Sequence, residues 1–452
     1  MLISSDFKTK LRKETKMNTK DAIYDVKELG KGKVLMLGLQ HMFAMFGATV
    51  LVPLLTGLDV STTLLFAGLG TLLFHVISKG KVPAFLGSSF AFLGGYGAVA
   101  PLLADGSSNI EMIPYACFGV ACAGLIYMLF SILIKVFSAE KVMSFFPPIV
   151  TGPIIIAIGL TLSKSAIDSC TENWLIALVA IAVVIICNIY GKGMIKIIPI
   201  LLGVVASYAA GVAMGEVDFT PVKEAAWFGF PIRMEMTVFA LFGENFDANK
   251  LLASILTIMP IALATIVEHV GDISAISSTT GINYIEEPGL HRTLLGDGLA
   301  TMVSSLFGGP ANTTYGENTG VLNLSKVYDP KVVRLAAVFA ILFSFCPKVA
   351  SIIQVMPTAT VGGISLILYG MISAVGVRNV VENQIDFTNS RNVIIAALIL
   401  VLSIGVHYSN AGAIAFQIGE ITISLSGIAA GALVGIVLNA ILHDKEFRID
   451  AV

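Results

Sequence analysis

One pattern repeats along the whole chain: an apolar run about as long as a bilayer is thick, then a short polar break. A helix needs about 20 apolar residues to cross the hydrocarbon layer. Fourteen runs fit, near 34–55, 62–78, 84–104, 112–134, 145–163, 173–190, 195–214, 251–272, 292–308, 310–325, 332–353, 358–376, 392–407 and 421–443. Only 13% of residues are charged and 56% are hydrophobic, with a mean hydropathy of +0.87. Soluble domains carry about 25% charged residues. A surface facing water needs that charge and one facing lipid does not. The pattern predicts an all-α polytopic membrane protein of about 14 spans.

Charge sets the expected orientation. Residues 1–33 hold nine Lys/Arg and no apolar core ahead of a small-residue cleavage site, so the first run is expected to stay as a span. With both termini cytoplasmic, only Lys164, Lys223, Arg233, Lys250 and Lys348 of the 28 Lys/Arg fall outside, which leaves 23 inside. The expected location is a bacterial inner membrane, with membrane lipid as the surrounding partner. A net charge of −2 leaves no basic field for phosphates, which argues against nucleic acid as a partner. Cys117, Cys122, Cys170, Cys187 and Cys346 show no metal spacing and are expected to pack as small hydrophobes.

The longest loop, about 215–250, divides the runs seven and seven. An odd number of spans per half gives the halves opposite orientations, which is an inverted repeat. The third run of each half is broken. Residues 83–95 read Pro-Ala-Phe-Leu-Gly-Ser-Ser-Phe-Ala-Phe-Leu-Gly-Gly, and residues 308–320 read Gly-Gly-Pro-Ala-Asn-Thr-Thr-Tyr-Gly-Glu-Asn-Thr-Gly. Neither favours a continuous helix. Irregular backbone at membrane depth must face protein or a cavity. Broken spans at matching places in two halves point to a transport site. Two short extended pieces there can pair, each leading into a half-helix with its positive end toward the midplane. Gly and Ser also serve close helix packing, which is the plainer explanation.

Ionisable groups inside spans mark function. His41 lies in span 1, Glu268, His269 and Asp272 in span 8, and Glu317 in the break of span 10. Glu268 and Asp272 stand four apart and share one helix face. Two neighbouring carboxylates in a dry site resist double ionisation, so the pair suits a proton carrier, with His41 as a nearby relay. His269 points about 100° away from Glu268 and is expected to be structural. His75 is expected at the interface. Carboxylates only accept, so Glu268 and Glu317 suit a neutral ligand rich in N–H groups. Backbone N–H groups in the extended pieces suit its carbonyl oxygens. Phe90 and Tyr315 offer rings for a flat heterocycle to pack on.

These residues resemble the nucleobase–ascorbate transporter family, and most nearly its bacterial uracil permeases. Five ordered motifs carry the resemblance: Gly38-Leu-Gln-His-Met-Phe-Ala-Met-Phe-Gly47, Gly87-Ser-Ser-Phe-Ala-Phe92, Glu268-His-Val-Gly271, Pro288-Gly-Leu-His-Arg292 and Asn312-Thr-Thr-Tyr-Gly-Glu-Asn318. The match runs from about 34 to 443. It implies a core domain at 34–140 and 251–356 (spans 1–4 and 8–11). It implies a gate domain at 141–214 and 357–443 (spans 5–7 and 12–14). Around these lie a cytoplasmic segment 1–33, an outer loop 215–250 and a cytoplasmic tail 444–452. The resemblance implies that Glu268 and Glu317 hold the base, that Phe90 and the backbone of Tyr315 and Gly316 line the pocket, and that His41 and Tyr369 belong to the site. It implies a homodimer through the gate, no cofactor and a coupling proton.

Two residues depart from the family pattern. Ser325 stands where the signature carries Thr. Asp272 stands where uracil permeases carry His, as on the purine side of the family, whereas Glu317 resembles the uracil branch. The expected function is secondary active import of a nucleobase, uracil first, by proton symport. A xanthine or urate permease is the main alternative, and an anion transporter of related fold a weaker one. An enzyme needs a nucleophile–base pair or a metal constellation, and the sequence presents none.

Overall fold

The computed structural model describes residues 22–103, 105–138, 141–142, 146–242, 246–418 and 421–442. Helix α1 (Lys31–Thr56) ends at Gly57, whose left-handed φ of 76° closes its last turn. Asp59 then caps α2 (Val60–Ile77) by accepting from the Thr62 N–H at 2.7 Å. The third range is not one helix. It runs as strand β1 (Leu86–Ser88), a 3-10 turn (Phe90–Phe92) and short helix α3 (Leu93–Val99). The first half continues with α4 (Ile113–Phe137), α5 (Pro148–Thr171), α6 (Trp174–Tyr190) and α7 (Pro199–Ala213).

The second half opens on α8 (Ala248–Ile258), which passes through a 3-10 turn at Pro260 into α9 (Ala262–Thr280). Next come α10 (Leu290–Leu306), strand β2 (Asn312–Thr314) and α11 (Gly316–Ser325). The chain continues through α12 (Pro330–Ser344), α13 (Pro347–Gln354), α14 (Thr358–Glu382) and α15 (Ser390–His407). A hairpin of β3 (Ala413–Ile418) and β4 (Ile421–Ser426) leads into α16 (Gly427–Ile441).

The fold is a helical membrane fold, and each of the fourteen predicted ranges contains helix. Among the described residues seven helices are long and apolar enough to cross a membrane, or eight when the bent pair α12–α13 counts as one.

Three ranges differ from expectation. Range 251–272 extends to 248–280, because Pro260 costs only one 3-10 turn rather than ending the helix. Range 332–353 bends by 84° between α12 and α13, where Pro347 cannot continue the helix before it. Range 421–443 begins as strand: Ile-Thr-Ile-Ser-Leu-Ser alternates with a period of two, which is a strand signal.

Corresponding spans of the two halves meet. α2 packs on α10, α5 on α14, and β1 pairs with β2. These are spans 2 and 9, 5 and 12, and 3 and 10. α5 and α14 approach closely at Gly159, where an added Cβ would lie 2.3 Å from the Tyr369 carbonyl. That contact holds Tyr369 at a set height against α5. α4 packs on α10 and α8, and α12 on α1 and α2, while α15 packs on α16 and α5.

Candidate functional site

The centre is a two-stranded antiparallel pair inside the helices. Leu86 faces Thr314, Gly87 faces Thr313 and Ser88 faces Asn312. All six residues are buried, so the outer edges of the pair cannot turn to water. Two threonines satisfy them. On α2, the Thr71 hydroxyl accepts from the Leu86 N–H at 2.9 Å and lies 3.2 Å from the Leu86 carbonyl. On α10, the Thr301 hydroxyl accepts from the Asn312 N–H at 3.1 Å and donates to its carbonyl at 2.9 Å. Spans 2 and 9 thus solve the same edge problem with the same residue. The Ser88 hydroxyl donates to the Thr49 carbonyl at 3.0 Å, tying β1 to α1.

Tyr315 follows β2, and its side chain turns back onto β1. Its hydroxyl donates to the Ser88 carbonyl at 2.8 Å, and its ring lies where a Cβ on Gly87 would come within 2.5 Å. Gly87 is therefore a close-approach glycine. The Tyr315 ring thus packs on β1, with its hydroxyl engaged there. Gly316 is exposed, and α11 starts there with no side-chain cap from Tyr315. The N–H groups at a helix start suit an electronegative oxygen. Glu317 occupies the second position of α11, and its side chain lies outside the described residues.

Opposite lies α9 with its carboxylates. Glu268 is half-buried. Asp272, one turn on, accepts from the Thr314 hydroxyl at 2.9 Å, so the carboxylate helix is clasped directly to β2. His269 lies on another face and is fully buried. Its Nδ1 is 2.9 Å from Asp297 Oδ2 on α10, and its Nε2 is 3.1 Å from the Thr293 hydroxyl. Thr293 donates its own hydrogen to the Leu290 carbonyl at 3.0 Å, which assigns a proton to His269 Nε2. Asp297 carried no prediction, because a lone Asp in an apolar run shows no sequence spacing to its partner.

His41 on α1 is fully buried and is brought to Asn318, the residue after Glu317. The Asn318 amide donates to His41 Nδ1 at 3.1 Å and to the His41 carbonyl at 3.0 Å. Neutral His41 therefore keeps its proton on Nε2, which has no partner among the described residues. Phe90 is half-buried, and its ring meets the Tyr369 ring edge-on with centroids 6.1 Å apart. His75, expected at the interface, is buried. Arg334 donates to its Nδ1 at 3.2 Å, and its Nε2 lies 2.9 Å from the Ala84 carbonyl just ahead of β1. The positive guanidinium supplies the partner that allows a histidine to be buried there.

A cavity of about 440 Å³ lies beyond Tyr369. Leu93, Gly94 and Gly97 of α3 form one wall, and Thr161, Ser165 and Asp168 of α5 form the other. His407 and the base of the β3–β4 hairpin, at Ala413 and Ser426, complete it. A Cβ on Gly94 or Gly97 would meet nothing within 4 Å, so the α3 wall is bare backbone at these two positions. A flat ring can lie against such a wall.

Comparison with known proteins agrees with these features. The chain is 40% identical over 426 residues to a uracil permease of Bacillus caldolyticus, covering 92% of this chain and 93% of that one. It is 37% identical over 432 residues to a uracil permease of Escherichia coli K12, covering 92% and 94%. The fold resembles the transmembrane domain of a cyanobacterium bicarbonate transporter, BicA, with a TM-score of 0.58 at 15% identity, over 93% of this chain and 99% of that one. A family profile described as the permease family matches residues 32–412. With the strand-paired broken spans and the clasped carboxylate helix in view, the chain belongs to that permease family, the nucleobase–ascorbate transporters its motifs resemble.

Proposed function

We propose that this protein imports uracil across a bacterial cell membrane by proton symport. The observation that carries this is the Asp272–Thr314 clasp, which joins the carboxylate helix α9 to the strand that opens α11. Glu268 and Glu317 accept from the N–H groups of the base. The backbone at Tyr315 and Gly316 donates to its carbonyls, and Phe90 with Tyr369 packs on the ring. Asp272 shares the coupling proton with Glu268, and His41 orients Asn318 beside Glu317. A neutral base carries no charge, so accumulation needs a co-transported cation. Protonation lowers the charge that must cross the low-dielectric barrier.

In this scheme α1–α4 and α8–α13 form a core that moves against a dimeric gate of α5–α7 and α14–α16. With an even number of spans both termini share one side, and the nine Lys/Arg of residues 1–33 favour the cytoplasm. The cavity beyond Tyr369 is then the outer approach, because it lies at the α5 end that carries Lys164 and Asp168. Relatives described as uracil permeases support uracil over a purine. The test is uptake of labelled uracil in cells lacking their own permeases, with xanthine, hypoxanthine and urate as competitors. Uracil should be accumulated and should be the strongest competitor. Uptake blocked by xanthine but not by uracil would assign the purine substrate instead.

A further inference from the structure

The segment ahead of α1 is strapped across one end of the bundle. The Ile23 N–H donates to the Lys326 carbonyl at 2.9 Å, and the Tyr328 N–H donates to the Ile23 carbonyl at 2.8 Å. The Tyr24 hydroxyl donates to the Thr280 carbonyl at 2.6 Å, and its ring meets Tyr328 edge-on at 5.4 Å. The Val26 N–H donates to Asp329 Oδ2 at 2.9 Å. Three residues of this short segment thus bond to two separate places in the chain.

Those places are specific. Thr280 is the last residue of α9, the helix of Glu268 and Asp272. Lys326 ends α11, the helix of Glu317, in a left-handed conformation with φ 53° and ψ 24°. A non-glycine residue in that region is uncommon and needs outside support, which the strap gives at the Lys326 carbonyl. Thr280 lies eight residues beyond Asp272, and Ser325 eight beyond Glu317, so each end is about 12 Å along its axis from the site. The Asp272–Thr314 bond ties α9 to the strand that leads into α11, and the strap ties the far ends of the two helices. One tie sets a spacing, whereas two ties about 12 Å apart set the angle as well.

We propose that Ile23–Val26 is a positioning strap that holds α9 and α11 in the mutual geometry the base requires. The proposal rests on the uracil reading for its ligand and on the hydrogen bonds alone for its structure. The strap touches no substrate and acts through the two helices.

The test uses the purified full chain with three variants. Tyr24→Phe removes one hydroxyl and keeps the ring, while Ile23→Pro and Val26→Pro each remove one donated N–H. Uracil affinity is measured by calorimetry, stability by the ligand-free thermal midpoint, and helix order by amide hydrogen exchange. Tyr24→Phe is expected to weaken uracil binding about three- to tenfold, the scale of one hydrogen bond. Exchange should quicken at both Ile276–Thr280 and Leu322–Lys326, with the thermal midpoint little changed. Unchanged affinity and exchange would overturn the strap, as would a lowered midpoint with unchanged affinity, which marks a merely structural anchor. If a proline variant fails to fold, Tyr24→Phe still decides. If the wild type itself binds no uracil, the transport reading falls, and the exchange result still judges the strap.

Discussion

The Thr314 hydroxyl donates to the Asp272 carboxylate at 2.9 Å and so joins a carboxylate on one span to the strand that breaks another. A carboxylate that accepts this bond is stabilised in its ionised form. In the proposed scheme a proton that moves onto Asp272 must compete with this bond. Thr314→Val is therefore expected to change the pH dependence of uptake, because it removes a hydrogen bond from the Asp272 carboxylate. Uptake measured from pH 5 to 8 checks this, and an unmoved profile would separate Thr314 from coupling.

Asp272→Asn tests the same path from the other side. The variant should still bind uracil and exchange it, yet fail to concentrate it under a pH gradient. Accumulation with wild-type pH dependence would remove Asp272 from the proton path.

Thr71 and Thr301 hold equivalent edges of the strand pair. Replacing either by Val leaves a buried N–H and carbonyl without that partner, at about 1–3 kcal/mol. The two variants should lose similar stability, read as similar drops in thermal midpoint. A large loss at one and none at the other would argue against a shared origin for the two edges.

Gly87→Ala is expected to be worse than its size suggests. The new Cβ would lie 2.5 Å from the Tyr315 ring and 2.8 Å from the Thr49 hydroxyl, inside the strand pair. Overpacking of this kind costs about 1–3 kcal/mol. The variant should lose both thermal stability and uracil affinity, and a midpoint within a degree of wild type would show that the ring moves aside freely.

The membrane fold and the two breaks were legible in the sequence because both follow from local chemistry. Apolar runs must lie in lipid, and the Gly and Pro of residues 83–95 and 308–320 do not favour a continuous helix. The carboxylates Glu268, Asp272 and Glu317 were visible for the same reason: charge inside an apolar run has to be explained. The partners were not visible. Thr71, Thr301 and Thr314 are common residues in helices and strands, and their roles appear only when the strands are placed beside them. Asp297 pairs with His269 across 28 positions, and the strap reaches Lys326 and Asp329 from residues 23 and 26; no local spacing announces either. The packing of the Tyr315 ring on Gly87 was hidden too, because the sequence gives no direction for a side chain in irregular backbone. The β3–β4 hairpin carried its own signal in the alternation of residues 421–426, which the apolar average of the range concealed.

Uracil–proton symport is tested most directly in proteoliposomes that hold the purified protein and no other transporter. With an acid exterior, a neutral interior and no sodium, labelled uracil should rise above its external concentration, and collapse of the gradient by a protonophore should release it. Replacing both Glu268 and Glu317 by Gln should abolish that accumulation. Uracil that only equilibrates, or that concentrates only when external sodium is supplied, would contradict proton symport.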